Sequence, residues 1–364
     1  MYDLIVIGGG PAGTSAAISA ARYGARVLLL ERGRFPRHKV CGEFVSPESF
    51  EILAQLLDSR DDGVLQAAVR IPEARIFIDD RVLQTSIEPP AASVARFELD
   101  KALWDSAERC GVEAKQQVAV QKVAGSGPFL VSTSMGDFEA RAVVNASGRW
   151  SNLSASAPAN GQVGAKWIGL KAHFVEPSPR ASVDLYFLEG GYCGVQPVSL
   201  ASDSGQPRVN ACAMVRADIA STLLGVFTLN PALLERSRHW QPLTDPVTVA
   251  PLFFGKPQPA RDRIFMVGDA AGFVDPFIGD GISLALRSGA LAAECLTPFF
   301  RGAVSLEHAA GRYVEGYERQ LAPVFRSSWR IRRMLLLPRA VRGPIASLLA
   351  NTPAVTRYLV KKTR

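Results

Sequence analysis

Short apolar runs separated by small-residue turns dominate the first part of the chain. Residues 4–7 are all apolar, which is typical of a strand buried on both faces of a parallel sheet. A helix is predicted over residues 11–23, and a second apolar run covers residues 27–30. This order of strand, helix and strand predicts an α/β fold with a parallel sheet.

Three glycines stand in the turn between the first strand and the helix. Gly8 permits a tight turn, Gly10 lets a pyrophosphate approach the backbone, and Gly13 lets the helix lie close to the sheet. The helix N-terminus attracts phosphate through its free amides and its dipole. Glu31 ends the second strand, close to the position expected for hydrogen bonds to ribose hydroxyls. The pattern predicts a dinucleotide site, with FAD and NAD both open.

The middle of the chain interrupts this pattern with strands. Residues 69–88 are predicted to form two strands joined by a turn, and residues 96–111 an amphipathic helix. A β-hairpin is predicted over residues 129–140, and residues 142–146 are a further parallel strand that ends in the small-residue turn ASGRWSN. From residue 167 to residue 215, strand-like runs alternate with turn residues and predict an antiparallel sheet, which we interpret as a substrate-covering domain.

The second informative stretch lies in the last third. Residues 264–267 are predicted to be a buried strand, and Asp269 follows at its carboxyl end, where open α/β sheets bind ligands. A tight loop over residues 276–281 precedes a helix over residues 282–296 whose N-terminus faces the same crevice. The alternatives are that Asp269 is only a strand-end residue and that Asp280 is only a helix cap.

Composition and charge restrict the class of protein. The chain has 364 residues, which suits two packed domains, and a net charge of +7 without a nucleic-acid-binding motif. We expect no signal segment and no membrane span, because the chain enters a strand at once and has no apolar run of about 20 residues. The five cysteines and four histidines have no metal or disulfide spacing, so we expect reduced thiols in a cytoplasmic protein.

Basic and apolar residues alternate at the C-terminal end. Residues 330–364 mix Arg and Lys with Leu, Ile and Val, a pattern typical of segments that lie on anionic membrane surfaces. The alternative is a segment that packs on its own domain with a solvated charged face. Peripheral contact with membrane or lipid is therefore an open prediction.

Four motifs together resemble the FAD-containing superfamily of aromatic hydroxylases. They are GGGPAG, Arg96 with FELDKAL, ASGRWS and MVGDAAGFVDPFIGDGI. Within that superfamily, RHKVCGE and DPFIGDGISLAL look more like the geranylgeranyl reductase branch. The resemblance, which covers the chain to about residue 300, implies a Rossmann-like FAD-binding domain interleaved with a mainly antiparallel substrate domain. The implied ranges are 1–68, 97–160 and 257–304 for the FAD-binding domain, 69–96 and 161–256 for the substrate domain, and 305–364 for a C-terminal helical region.

The resemblance also implies which residues contact the cofactor. The glycine turn would hold the pyrophosphate, Glu31 the adenosine ribose, Arg96 the phosphate or ribityl chain, and Asp269 the ribityl or pyrophosphate portion. The backbone near Val120 would contact adenine, and residues 279–282 would lie against the pyrimidine edge of the isoalloxazine. The predicted cofactor-binding residues are Gly8, Gly10, Pro11, Ala12, Gly13, Glu31, Arg32, Arg37, Cys41, Gly42, Arg96, Val120, Gly268, Asp269, Pro276, Gly279, Gly281 and Ile282.

One run departs from the branch. Reductases of this branch have an aromatic motif similar to YxWxFP, whereas this chain has Tyr192 and Pro197 with Gly194 and Gln196 between them. The change predicts a wider or more polar pocket, and the absence of a WxWxIP run argues against halogenation. Cys41 and Tyr192 are the catalytic candidates, and His173 is a further residue that could face substrate; the alternative for Cys41 is a space-filling thiol.

Two reactions compete for the predicted flavoenzyme. The RHKVCGE block favours reduction of a carbon–carbon double bond in an apolar, polyketide-like or isoprenoid-like small molecule. The wider superfamily favours oxygen-dependent hydroxylation of an aromatic or polyketide-like substrate. A third hypothesis is a flavin-binding electron carrier without turnover. NADPH or NADH would be a transient electron donor, because no second GxGxxG motif offers it a domain of its own.

Overall fold

The structure is a computed structural model that describes residues 1–58, 62–149, 153, 166–200 and 203–335. Its helices are α1 (Pro11–Arg22), α2 (Glu48–Leu56), α3 (Asp62–Gln66), α4 (Arg96–Arg109), α5 (Leu223–Phe227), α6 (Pro231–Ser237), α7 (Gly281–Phe300), α8 (Leu306–Gln320) and α9 (Ala322–Leu335). Its strands are β1 (Tyr2–Ile7), β2 (Val27–Glu31), β3 (Phe44–Val45), β4 (Val69–Ile78), β5 (Arg81–Ser93), β6 (Glu113–Gln116), β7 (Val120–Gly125), β8 (Phe129–Thr133), β9 (Gly136–Asn145), β10 (Trp167–Val175), β11 (Ser182–Leu188), β12 (Gly191–Leu200), β13 (Asp203–Arg216), β14 (Gln241–Pro242), β15 (Val247–Leu252), β16 (Ala260–Arg261) and β17 (Ile264–Met266).

The first sheet contains the predicted parallel strands. In the described chain its order is β16-β17-β9-β1-β2-β6, and β1 pairs in parallel with both β2 and β9. The apolar run of β1 is central and fully buried, as its unbroken hydrophobic sequence predicted. The predicted hairpin over residues 129–140 and the predicted strand over residues 142–146 share one long strand, β9, which is antiparallel to β8 at its start and parallel to β1 at its end.

The second sheet gathers strands from three parts of the sequence. Its order is β14-β10-β13-β12-β11-β4-β5-β3, with β15 paired to β10. Neighbouring strands are antiparallel except β11 and β4, which are parallel. The prediction of a mainly antiparallel second sheet is confirmed, while the finer domain bounds stay a prediction. β3 belongs to this sheet although it lies within the predicted FAD-binding range, since it pairs with the end of β5.

Close packing of α1 positions the glycine turn. A Cβ at Gly13 would lie 1.8 Å from Gly8 O, and a Cβ at Gly289 of α7 would lie 2.2 Å from Ala12 O. Hydrogen in place of a side chain therefore lets α1 lie against both the turn and α7. Two helices follow α7 in the chain: α8 packs beside α7, and α9 packs beside α8.

Within the described ranges, no helix combines the length and the hydrophobicity that crossing a membrane requires.

Candidate active site

One cavity of about 1120 Å³ opens between the two sheets, and we name it the central cavity. Its lining includes the glycine turn after β1, the end of β2, the loop over residues 37–44, and apolar side chains of the second sheet. Every predicted cofactor-binding residue lies in the described ranges, and of these only Gly13 is outside the lining. Its part is to let α1 approach Gly8. The carboxyl ends of β1, β2 and β17 thus meet at one crevice.

The glycine turn offers backbone and open space. Gly8 has a φ of +107°, and its amide donates to Leu30 O at 2.7 Å. A Cβ at Gly10 would have its nearest neighbour, Arg96 Nη2, 4.0 Å away, so this point of the turn faces open space. α1 begins at Pro11 with no acidic residue in its first turn. The amides and the dipole of α1 are therefore free to stabilise a phosphate.

Glu31 is held from several sides. Its carboxylate accepts hydrogen bonds from Gly9 N at 2.9 Å and Gly33 N at 2.7 Å, and it pairs with Arg37 at 3.0 Å. The side chain is almost fully buried, which fixes its place at the end of β2. Arg37, like Glu31, lines the central cavity. The geometry supports a carboxylate placed to accept further hydrogen bonds from a ligand hydroxyl.

Three basic side chains crowd the loop beside the glycine turn. Arg96 forms a two-pronged pair with Asp100, at 2.6 and 2.8 Å, and its guanidinium lies within reach of the Cys41 sulfur. Burial acts to lower the pKa of Arg96, but Asp100 outweighs it and raises that pKa. Burial, with the charges of Arg37 and Arg96, lowers the pKa of Lys39 to about 8. An anion in this part of the cavity would relieve the crowding of positive charge.

The predicted segment in the last third lines the opposite side. Asp269 pairs with Arg149 at 3.2 Å, and Arg149 stacks over Phe273 with its guanidinium carbon 3.9 Å from the ring centroid. The Asp269 side chain is 38% exposed, so its carboxylate keeps access to the cavity. Trp150, from the motif that contains Arg149, lies outside the described residues.

Asp280 is not the helix cap that the sequence allowed. It occupies the position before α7, but its side chain accepts no capping hydrogen bond from the helix. Ser46 donates a hydrogen bond to it at 3.2 Å, and the carboxyl is buried. Burial raises the pKa of Asp280 to about 6. The N-terminus of α7 is therefore free of a side-chain cap at the edge of the cavity.

Tyr192 stands in the apolar half of the cavity. Its hydroxyl is buried and has no hydrogen-bond partner among the described residues, although it faces the carboxyl of Asp275. Burial and Asp275 raise its pKa well above the ordinary value. Asp275 in turn pairs with Arg332 of α9, whose guanidinium carbon lies 4.0 Å from the ring centroid of Phe254. The first residues of the basic C-terminal region thus pack on their own domain as far as the structure describes them.

The apolar wall continues along the second sheet. Gly194 and Gln196, which replace bulky residues of the aromatic motif, both line the cavity, and Gln196 donates to Ser93 Oγ at 2.6 Å. The apolar side chains that line this half include Ile76, Ile78, Leu83, Leu185, Phe187 and Leu252. A hydrophobic substrate would lose its water shell against such a wall.

His173, which the sequence offered as a residue that could face substrate, lies elsewhere. His173 does not face the cavity: its ring is fully buried, and Nε2 lies 2.8 Å from Glu43 Oε2. Glu43 and Lys171, with which it clusters, were not singled out from the sequence. The available signal was the spacing of Lys171 and His173 two residues apart in the otherwise apolar strand β10, which places them on one face.

Comparison with known proteins gives the chemistry. A family model described as FAD dependent oxidoreductase matches residues 3–36, the segment of the glycine turn and Glu31. The chain is an FAD-dependent oxidoreductase. It is 26% identical over 322 residues to the menaquinone reductase of Mycobacterium tuberculosis, covering 81% of this chain and 76% of the relative. It is 25% identical over 364 residues to digeranylgeranylglycerophospholipid reductase 1 of Methanopyrus kandleri, covering 92% and 90%.

Other matches compare the length and the fold of this FAD-dependent oxidoreductase with those of known proteins. It is 25% identical to conditioned medium factor receptor 1 of Dictyostelium discoideum, covering 82% of this chain but spanning only 64% of the relative. A geranylgeranyl bacteriochlorophyll reductase-like structure from Thermoplasma acidophilum aligns with a TM-score of 0.73 at 19% identity, covering 100% of this chain and 95% of that one. The flavin-dependent brominase Bmp2 aligns with a TM-score of 0.73 at 20% identity, covering 99% and 98%. These two structures show that the fold is shared.

The residues of this oxidoreductase fit FAD. A Cβ at Gly10 would enter open space, the uncapped N-terminus of α1 is adjacent, and the buried carboxylate of Glu31 lies at the next strand end. A single cavity joins this region to Asp269 and to the N-terminus of α7. The two segments that the sequence predicted to meet across one crevice do so.

Proposed function

We propose that this FAD-dependent oxidoreductase reduces a carbon–carbon double bond in an apolar small molecule of isoprenoid or polyketide type. The observation that carries the proposal is the continuity of the central cavity, in which the glycine turn and the apolar wall of the second sheet line one space. A substrate on that wall would be next to the cofactor without leaving the cavity. The two reductase relatives, named for menaquinone and for a digeranylgeranylglycerophospholipid, support the same class of chemistry.

The chain would bind FAD along one side of the cavity. The amides of the glycine turn and the N-terminus of α1 would hold the pyrophosphate, Glu31 the ribose, and Arg96 and Asp269 the chain between them. Bound FAD supplies hydride-transfer chemistry that no amino-acid side chain offers. NADPH or NADH as donor, and a cytoplasmic location, stay predictions.

The second sheet would bind and orient the substrate. Its apolar side chains would exclude water, which strengthens every polar interaction inside the cavity. The pKa of Tyr192, raised by burial and Asp275, keeps its hydroxyl protonated. A protonated hydroxyl without a partner among the described residues is suited to give a proton to substrate rather than to take one. Cys41, which lines the cavity beside Arg96, is the second candidate.

Oxygen-dependent hydroxylation is the alternative. Gly194 and Gln196 favour hydroxylation, because their side chains are smaller or more polar than those of the aromatic motif. They therefore make the pocket near Tyr192 wider and more polar. Halogenation is not proposed, since residues 192–197 lack the two tryptophans of that chemistry. An electron carrier without turnover remains the third reading. Peripheral contact with lipid through residues 330–364 remains a prediction, and residues 336–364 lie outside the described residues.

Product mass under controlled oxygen tests the proposal. The purified enzyme is chemically reduced without oxygen and mixed with a polyprenyl alcohol, whose only groups that can accept a hydride are its carbon–carbon double bonds. We expect a product that gains two hydrogen atoms and the return of the oxidised flavin spectrum at a matching rate. A product that appears only with oxygen and gains one oxygen atom would overturn the proposal in favour of hydroxylation. Reduced enzyme that reacts with neither substrate nor oxygen would support the electron carrier.

A further inference from the structure

A buried cluster of charges stands behind the loop that carries Cys41. Glu43 is fully buried and accepts hydrogen bonds from Lys171 Nζ at 2.5 Å and from the Arg96 amide at 2.9 Å. His173 Nε2 lies 2.8 Å from its other oxygen. Lys171 and His173 come from β10 of the second sheet, and Arg96 is the first residue of α4. One carboxylate therefore connects the loop, the second sheet and the helix that carries Arg96.

The backbone of Glu43 is strained in a way that needs such support. Its φ is +61°, in the left-handed region that side chains other than glycine rarely adopt. Its amide contacts the Cys41 sulfur at 3.3 Å, and its carbonyl accepts from Val94 N at 2.9 Å. The conformation of residues 41–43 is thus tied to the position of the Glu43 side chain.

A second contact from the same sheet holds the other end of the turn. Asn210 Nδ2 of β13 donates to the Cys41 carbonyl at 3.0 Å. Cys41 and Gly42 both line the central cavity, whereas Lys171 and His173 do not. The second sheet therefore lines the cavity here with Gly169 and Cys212, and through Asn210 it also holds the turn.

Simple charge balance is the competing explanation. Lys171 is only 1% exposed, and a buried ammonium needs a counter-charge wherever it lies. If this were all, any change that removed both charges would leave the turn as it is. The strained backbone and the bond to the Arg96 amide point to more than neutralisation.

We propose that Glu43 is a positioning residue that holds the turn of Cys41 and Gly42 against the central cavity, so that the second sheet sets where the Cys41 thiol stands. The role is the same for reduction and for hydroxylation, because it concerns the turn alone. The hydrogen bonds of the Glu43 carboxylate go to Lys171, His173 and the Arg96 amide, so the proposed role acts through the turn.

The test measures Cys41 directly. Full-length wild type and Glu43→Gln are treated with iodoacetamide, with and without FAD, and alkylation of each cysteine is followed by peptide mass spectrometry. FAD affinity is measured in parallel by quenching of flavin fluorescence. We expect Glu43→Gln to change the Cys41 alkylation rate by about tenfold and to weaken FAD binding by a similar factor, the usual effect of losing one charged hydrogen bond.

Asp184→Asn is the matched control. Asp184 is also a fully buried carboxylate of the second sheet, paired with Arg75 and Arg236, and it does not line the cavity. We expect it to lower thermal stability while leaving the Cys41 alkylation rate and FAD affinity at wild-type values. Equal changes in the two variants would mean general loosening and would overturn the proposal.

A double variant separates positioning from charge balance and guards against loss of folding. Glu43→Gln/Lys171→Met removes the ammonium that the single variant leaves unpaired, so its thermal unfolding midpoint is expected to exceed that of Glu43→Gln. We expect its Cys41 alkylation rate to stay displaced from wild type. A return of both alkylation and FAD affinity to wild-type values would show that Glu43 only neutralises Lys171.

Discussion

The two walls of the central cavity are built on opposite principles. The nucleotide wall comprises Gly8, residues 10–12, Glu31 and Asp269, and its shape depends on close backbone packing. Directly behind it, a Cβ at Gly13 would lie 1.8 Å from Gly8 O. The substrate wall, comprising strands β4, β11 and β12, shapes itself with side chains, and a Cβ at Gly194 would meet Leu185 Cδ2 at an ordinary 3.4 Å. Substitutions in the nucleotide wall would push backbone atoms apart, so this wall tolerates little change. Substitutions in the substrate wall change only side-chain volume, so the size of the substrate pocket can vary.

The largest effect on stability and FAD binding is expected from a substitution that disturbs the nucleotide wall. Gly13→Ala should abolish FAD binding and lower the free energy of unfolding by about 3 kcal/mol, since α1 must move away from Gly8. Gly194→Ala, the matched change in the substrate wall, should cost less than about 1 kcal/mol and keep FAD bound. Urea unfolding and flavin absorbance of the two variants give the comparison. Equal losses in both would contradict it.

The next largest effect on stability is expected from the buried charge of Glu43, behind the turn of Cys41 and Gly42. Burial acts to raise the pKa of Glu43, but Lys171 and His173 outweigh it and lower that pKa from 4.5 to about 2. Because the folded-state pKa is depressed, this stabilisation is complete above pH 4.5 and is lost as the pH falls toward 2. The difference in free energy of unfolding between wild type and Glu43→Gln should therefore shrink by about 2–3 kcal/mol as the pH falls through that window. A constant difference between the two proteins would be the contrary result.

A smaller effect, of opposite sign, is expected at the edge of the cavity. Burial raises the pKa of Asp280 from 3.8 to about 6, so its ionised form costs stability that accumulates as the pH rises through that range. Asp280→Asn should raise the free energy of unfolding by about 2 kcal/mol above pH 6 and by little below pH 3.8. Denaturant unfolding at the two ends of the range measures it. No gain at the higher pH would mean that the carboxylate is satisfied.

The smallest effect on stability is expected in the substrate wall. Tyr192→Phe removes a buried hydroxyl with no hydrogen-bond partner among the described residues, so the free energy of unfolding should change by less than about 0.5 kcal/mol. Turnover with the reduced enzyme should nevertheless fall, because the proposed proton donor is gone. Unchanged turnover with unchanged stability would remove Tyr192 from the proposed mechanism.

Local sequence was sufficient wherever a feature depends on neighbours in the chain. Apolar runs and glycine spacing predicted β1, α1 and β2, and the antiparallel character of the second sheet followed from turn residues between short strands. Local sequence was insufficient for β9. This strand was predicted in two pieces, because apolar and polar residues alternate in its first part whereas its last part is apolar. The reason is that one half pairs at an edge and the other half is buried beside β1.

The sequence by itself determined the cofactor side of this protein, because each group that defines it belongs to a short local motif of strand, turn or helix. Only the tertiary structure decided what stands behind Cys41 and Tyr192. Glu43, Lys171 and Asn210 are far apart in the chain, and Arg332 returns from α9 to reach Asp275. Such contacts form only when the two sheets close around one cavity. Burying a charge then costs free energy unless a partner of opposite charge is buried with it, and this requirement fixes which residues pair.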